Sequence, residues 1–239
     1  FEDPQLKTAR ILQTARSVCP GGAPLWPQMV RTLHSLSQDL PTQLSGLVED
    51  PSKVLFVPHH RSHAASAYWT APVGEAAKLV IDGVGEWTTT SIWSGTSQGL
   101  TAVSEIQFPH SLGLFYSAFT QYCGFKVNSG EYKLMGLAPI GEPVYKKQIL
   151  ETLIDLRADG GFALNMEYFA FDRGLSTISP LFELFFGQAT RRANAPVTPF
   201  HMNIAASVQA VLEEAVLRLS QTALNITGLS NLCLAGGVA

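Results

Sequence analysis

AKLVIDGVGEWTTTSIWSG, residues 77–95, reads as a strand, a glycine turn and a second strand. LVID is a short apolar run ending on an acid, the pattern of a buried strand. TTTSIW is rich in β-branched and aromatic residues, which suit a pleated surface. LTAVSEIQF (100–108) is a third strand candidate, so the stretch predicts a meander. Upstream, KVLFV (53–57) reads as a further short strand. Pro58 then introduces HHRSHAASAYW (59–69) as a helix. Downstream, SLGLFYSAFTQYCGF (111–125) predicts an apolar helix with Ser111 as its N-cap.

The flanks extend the pattern. QLKTARILQTAR (5–16) and PQMVRTLHSLSQDL (27–40) have helical spacing of apolar residues, separated by PGGAP. NSGEYKLMGLAPIGEP (128–143) reads as a charged loop packed down by apolar neighbours, and VYKKQILETLIDL (144–156) as a helix. Residues 158–200 read as irregular. NIAASVQAVLEEAVLRLSQTAL (203–224) is the longest amphipathic helix, and SNLCLAGG (230–237) a buried strand running into glycines. The order predicts an α/β domain rather than a bundle or sandwich. Four regions are expected: a helical remainder of a first subdomain (1–52), a βββα core (53–142), an inserted segment (143–200), and a long helix opening a second subdomain core (201–239).

The 239 residues are 46% hydrophobic and 15% charged, enough apolar material for a sizeable core. The net charge is -3 and no Lys/Arg stripe forms, so nucleic acid is not an expected partner. No apolar run approaches the roughly 18 residues of a membrane span. Cys19, Cys123 and Cys233 are odd in number and far apart, which argues for core residues in a reducing cytoplasm rather than disulfides or a cysteine zinc site. The opening FEDPQLKTAR and the closing NLCLAGGVA suggest a piece of a longer polypeptide.

Three histidines fall in VPHHRSHAASAY (57–68). On a helix, His59 and His63 share a face, and two imidazoles at that spacing can grip one divalent cation. His60 points elsewhere. Ordinary histidines at a surface helix start would give the same spacing. Asp82, at the tip of LVID, is a candidate third ligand; with His ligands, iron, zinc or manganese suit the set better than magnesium. Gly83 and Gly85 let backbone N–H groups approach a phosphate, although Asp-Gly is also an ordinary turn pair. Glu131 and Lys133 can hold a ribose hydroxyl and a phosphate, and Gly236 and Gly237 can bring bare backbone to a nucleotide.

HHRSHAASAY, VIDGVGE, SLGLFYSAFTQYCGF, SGEYKLMGLAP and LCLAGGVA together resemble the carbamoyltransferase family of antibiotic-tailoring and nodulation-factor enzymes. The resemblance is densest over residues 54–142 and 230–239. The same core is similar to threonylcarbamoyl-transfer proteins of tRNA modification and to the carbamoyl domain of the hydrogenase maturation protein. It implies a ribonuclease-H-like, actin-like ATPase fold, incomplete at both ends. It also implies His59, His63 and Asp82 as ligands of a divalent metal, with iron foremost. Gly83, Gly85, Glu86, Glu131, Lys133, Gly141, Gly236, Gly237 and Val238 would lie around ATP or carbamoyl adenylate. The implied reaction passes a carbamoyl group from carbamoyl phosphate, through carbamoyl adenylate, to a hydroxyl of a small-molecule acceptor. His60 is the candidate base, or a residue that orients a metal ligand. Family members carry an early nucleotide loop, a later asparagine and metal-binding aspartate, and a further C-terminal domain, none of them within these residues; the piece alone is expected to be inactive. A homodimer is one assembly the resemblance allows. Threonylcarbamoyl transfer to tRNA and a non-catalytic nucleotide-binding or interaction module are the competing readings.

Overall fold

The computed structural model describes residues 3–23, 26–37, 46–48, 50 and 53–239. Its centre is a mixed four-stranded sheet of β1 (Ala76–Ile81), β2 (Thr88–Thr96), β3 (Gly99–Gln107) and β6 (Leu232–Ala235), in the order β3-β2-β1-β6. β1 and β2 pair antiparallel with Leu79 opposite Ile92, and β2 pairs antiparallel with β3, so the meander forms. β6 returns parallel to β1, with Leu79 opposite Leu234. All six residues of β1 are buried, as expected of a strand covered on both faces. That is why LVI shows no apolar–polar alternation.

The two faces of β1 differ. Ala77, Leu79 and Ile81 join the main core with Phe115, Phe119, Ile204, Val208 and Val211. The opposite side meets α3 (His59–Trp69), whose Ala64 is fully buried and whose small side chains permit close approach. Lys78 is buried there too. Its ammonium donates to the Ala76 carbonyl at 2.5 Å and lies 3.5 Å from the Tyr68 ring centroid. Burial lowers its pKa.

On the core face lie α4 (Leu112–Tyr122) and the 29-residue α8 (Pro199–Thr227). The Ser111 hydroxyl accepts the Leu114 amide at 3.0 Å, as the sequence predicts for an N-cap. The phenylalanine-rich insert closes the core: Phe182 and Phe186 pack edge-on or tilted against Phe119 and Tyr122 with centroids 5.1–6.0 Å apart, and Phe169 backs Phe182 at 5.9 Å.

Several expectations change. KVLFV forms no strand: residues 54–58 are irregular and Leu55 is 76% exposed. Apolar content alone does not make a strand where no neighbour pairs with its backbone, and none does among the described residues. The segment read as a loop contains α5 (Glu131–Leu137) and a 3-10 turn, Ala138–Ile140. Leu134 and Ala138, one turn apart and buried, supply the anchoring face. The helix read over 144–156 stops early: α6 is Lys146–Thr152, after which β4 (Ile154–Leu156) pairs antiparallel with β5 (Phe162–Leu164). Ile154 and Leu156 alternate about Asp155, a strand period that helical spacing masked. The stretch 158–200 also holds a helix, α7 (Pro180–Phe186). The N-terminal helices are α1 (Pro4–Ser17) and α2 (Trp26–Ser37); Gln38–Leu40 of the second reading, and Pro24 before it, lie outside the described residues.

α8 begins with a capping box. The Thr198 amide donates to His201 Nδ1 at 3.2 Å. Burial, aided by the nearby Arg191 charge, holds the His201 pKa below its ordinary value. The unfolded chain therefore takes up this proton more readily than the folded one. The contribution to stability is complete above about pH 6.5 and declines as the pH falls below it. Thermal unfolding should show a lower midpoint near pH 5.5 than near pH 7.5, and His201→Gln should flatten part of that slope.

Candidate functional site

The site grows from the end of β1. After Ile81 the chain turns at Asp82-Gly83, and the Gly83 amide donates to Asp82 Oδ1 at 2.7 Å. The hairpin closes through the Asp82 amide on the Thr89 carbonyl and the Gly85 amide on the Thr88 carbonyl. Across from it α3 begins, with Pro58 at the N-cap and His59 and His63 one turn apart.

The two imidazoles and the carboxylate meet. His59 Nε2 is 2.8 Å and His63 Nε2 3.0 Å from Asp82 Oδ2, and the two Nε2 atoms are 3.0 Å apart. All three side chains are half-buried. Adjacent ligands of an octahedral ion with bonds of about 2.1 Å lie about 3.0 Å apart, so the triangle has the edge lengths of one octahedral face. The donor set fits a divalent ion of intermediate softness. Burial opposes ionisation of Asp82, but the His59 hydrogen bond, the Gly83 amide and the two imidazoles prevail and hold its pKa well below the usual carboxylate range.

The turn that carries Asp82 is gripped from two further sides. A Cβ on Gly113 would lie 2.8 Å from the Asp82 carbonyl oxygen and from Gly83 N, so α4 packs directly onto the turn. The Ser111 hydroxyl donates to the Gly83 carbonyl at 2.6 Å. Gly236, at φ 101°, lets the chain after β6 pass against the Ile81 carbonyl, and Val238 donates its amide to that same oxygen at 3.1 Å.

Asp82 also borders a cavity of about 560 Å3, together with Gly83, Gly113, Tyr116, Ser117, Glu131, Gln209 and Val238. The Tyr116 hydroxyl donates to Gln209 Oε1 at 2.9 Å. The Glu131 carboxylate accepts the Asn128 amide and the Ser117 hydroxyl at Oε1, both at 2.9 Å, and the Gly130 amide at Oε2 at 3.1 Å. Burial opposes its ionisation, but these donors outweigh that and lower its pKa.

Of the residues singled out in the sequence, His59, His63 and Asp82 converge, and Asp82, Gly83, Glu131, Gly237 and Val238 line the cavity. Lys133 is exposed, its ammonium 5.8 Å from the Tyr132 ring centroid, and it does not line the cavity. Gly141 packs on the Met202 carbonyl of α8 and borders a neighbouring cavity of about 340 Å3. Gly85 lies under the imidazoles: a Cβ there would meet His59 Cβ at 3.0 Å and His60 Cδ2 at 3.2 Å. The Glu86 carboxylate accepts the His59 backbone amide, each oxygen at 3.1 Å. His60 is buried, its Nδ1 2.7 Å from the Ser91 hydroxyl, which also accepts the Trp93 indole N–H. Its Nε2 has no partner among the described residues. Burial pushes its pKa down to about 4 despite Asp82.

Sequence reasoning missed Gly113, Tyr116, Ser117 and Gln209. Gly113, Tyr116 and Ser117 stand at helical spacing after the Ser111 cap, a signal that one face of α4 looks at the turn.

Residues 37–239 match the family model described as Carbamoyltransferase N-terminus. The chain belongs to the carbamoyltransferase family. Every segment of the site, from HHRSH to GGVA, lies inside the matched range. This family member is 49% identical over 247 positions to protein sll1178 of Synechocystis sp., covering all of this chain and 40% of that protein. It is 33% identical over 204 positions to nodulation protein NolNO of Sinorhizobium fredii, covering 85% of the chain and 28% of the relative. For nodulation protein NolO of Bradyrhizobium diazoefficiens the identity is 32% over 183 positions, with coverages of 76% and 31%. The chain thus spans less than half the length of these curated relatives. Among the described residues no helix is long and apolar enough to cross a membrane.

Proposed function

We propose that this carbamoyltransferase-family chain forms the cation- and nucleotide-binding part of an O-carbamoyltransferase. The donor is carbamoyl adenylate, made from carbamoyl phosphate and ATP, and the acceptor is a hydroxyl of a small molecule. One observation carries the reading: Asp82 belongs at once to a triangle of metal-type donor atoms and to the wall of a cavity of about 560 Å3. The β3-β2-β1-β6 order, with β6 parallel to β1, supports a ribonuclease-H-like core within the actin-like superfamily.

A divalent cation held by His59, His63 and Asp82 would supply Lewis-acid neutralisation of phosphate and carbonyl oxygen charge. The chain's own groups would do the rest. The Asn128, Gly130 and Glu131 amides and the Ser117 hydroxyl hold the Glu131 carboxylate at the cavity wall, where it would face a ribose hydroxyl. Tyr132, Met135, Leu114 and Leu212 give the same cavity an apolar side suited to a base. The burial of His60 and its bond to Ser91 speak against its meeting an acceptor hydroxyl, and neither ring nitrogen bonds His59, His63 or Asp82, so it would instead hold α3 to the hairpin.

The test is calorimetry of the polypeptide that carries this chain, titrated with a non-hydrolysable ATP analogue. Binding should require Mn2+ or Fe2+ and should weaken at least about 10-fold in chelator. Equal affinity with and without the cation would overturn the joint site.

A further inference from the structure

We infer that Glu86 is a positioning residue for His59, acting through the backbone of α3. The inference rests on the cation reading of the His59–His63–Asp82 triangle. A helix leaves its first amide N–H groups without partners in the helix itself, and a Ser, Thr, Asp or Asn at the N-cap ordinarily satisfies one of them. Here the N-cap is Pro58, which makes no side-chain cap bond. Glu86 supplies the missing acceptor from another segment. Both its oxygens lie 3.1 Å from the His59 amide. Glu86 is 7% exposed, and no Lys or Arg pairs with its carboxylate among the described residues. A buried carboxylate without a cation is costly unless hydrogen bonds hold it, and the positive end of α3 favours it in this place.

The same five-residue turn, Asp82–Glu86, therefore carries a donor atom of the triangle at one end and the fixture for another at its other end. Between them Gly85 gives the His59 ring its seat. The next residue, His60, is tied to the same hairpin through Ser91. Two successive residues of the first turn of α3 are thus fixed to the hairpin, and His63 follows one turn later. Reach, more than charge, is what Glu86 contributes.

Two conservative variants separate those properties. Glu86→Gln keeps an acceptor oxygen at the same distance and loses the charge; Glu86→Asp keeps the charge and withdraws it by one methylene. Co2+ binding to the polypeptide carrying this chain, followed by visible absorption, should stay within about threefold of the parent in Glu86→Gln and weaken by about 10–100-fold in Glu86→Asp. Far-UV circular dichroism should match the parent in both. Parent-like affinity in Glu86→Asp, or a loss in Glu86→Gln as large as in Glu86→Asp, overturns the assignment while leaving the cation site standing. A parent that binds no Co2+ sinks the cation site itself, and the positioning role with it.

Discussion

His63→Ala should lower affinity for a divalent cation by more than about 100-fold, beyond the roughly 10–100-fold that loss of an outer hydrogen-bond partner costs. Among the described residues His63 Nε2 meets His59 Nε2 and Asp82 Oδ2, both at 3.0 Å. Its side chain is 32% exposed, so truncation opens no core cavity. Alanine is also the strongest helix former, and the site lies within an 11-residue helix. The variant should therefore keep its far-UV circular dichroism and its thermal midpoint while losing bound metal. Plasma emission on protein purified with parent and variant side by side is the measurement. Equal metal content in the two would remove His63 from the site.

Gly236→Ala should be the most damaging single methyl group for the fold. The residue sits at φ 101°, a backbone region costly for any residue with a Cβ. The added carbon would also lie 2.1 Å from the Ile81 carbonyl oxygen, backbone that cannot swing aside. That oxygen accepts the Val238 amide and is one residue from Asp82, so relief of the clash would open the β1–β6 edge. A loss of at least about 3 kcal/mol is expected, which for a chain of this size lowers the thermal midpoint by about 6–12 °C. A shift below about 2 °C would show that the turn yields more easily than its geometry implies.

The sequence made the centre of the molecule legible because its signals there are local. LVID carries its own burial pattern, the turn glycines follow at once, and the His59–His63 spacing needs only a helix to become a shared face. The helix at Glu131–Leu137 was hidden by Gly130, Gly136 and Pro139, which read as turn residues. Its cause is non-local: Leu134 and Ala138 bury in the core, and Gly141 beside them packs on α8. KVLFV failed in the opposite direction, since strand-like composition says nothing about an available partner edge. Gln209 was illegible for the same reason. It lies 93 residues from Tyr116, and only the packing of α8 across α4 brings the amide to the phenol. Glu86 was legible as part of a motif, but its bond to the amide of His59 depends on how α3 docks on the hairpin.

The double membership of Asp82, in the donor triangle and in the cavity wall, has a thermodynamic consequence. A cation on one side of that carboxylate and a ligand on the other would share its charge, and so would couple. Whatever factor the first adds to the affinity of the second, the second returns to the first, with the same sign and size. Selection acting on either occupant would be felt by both.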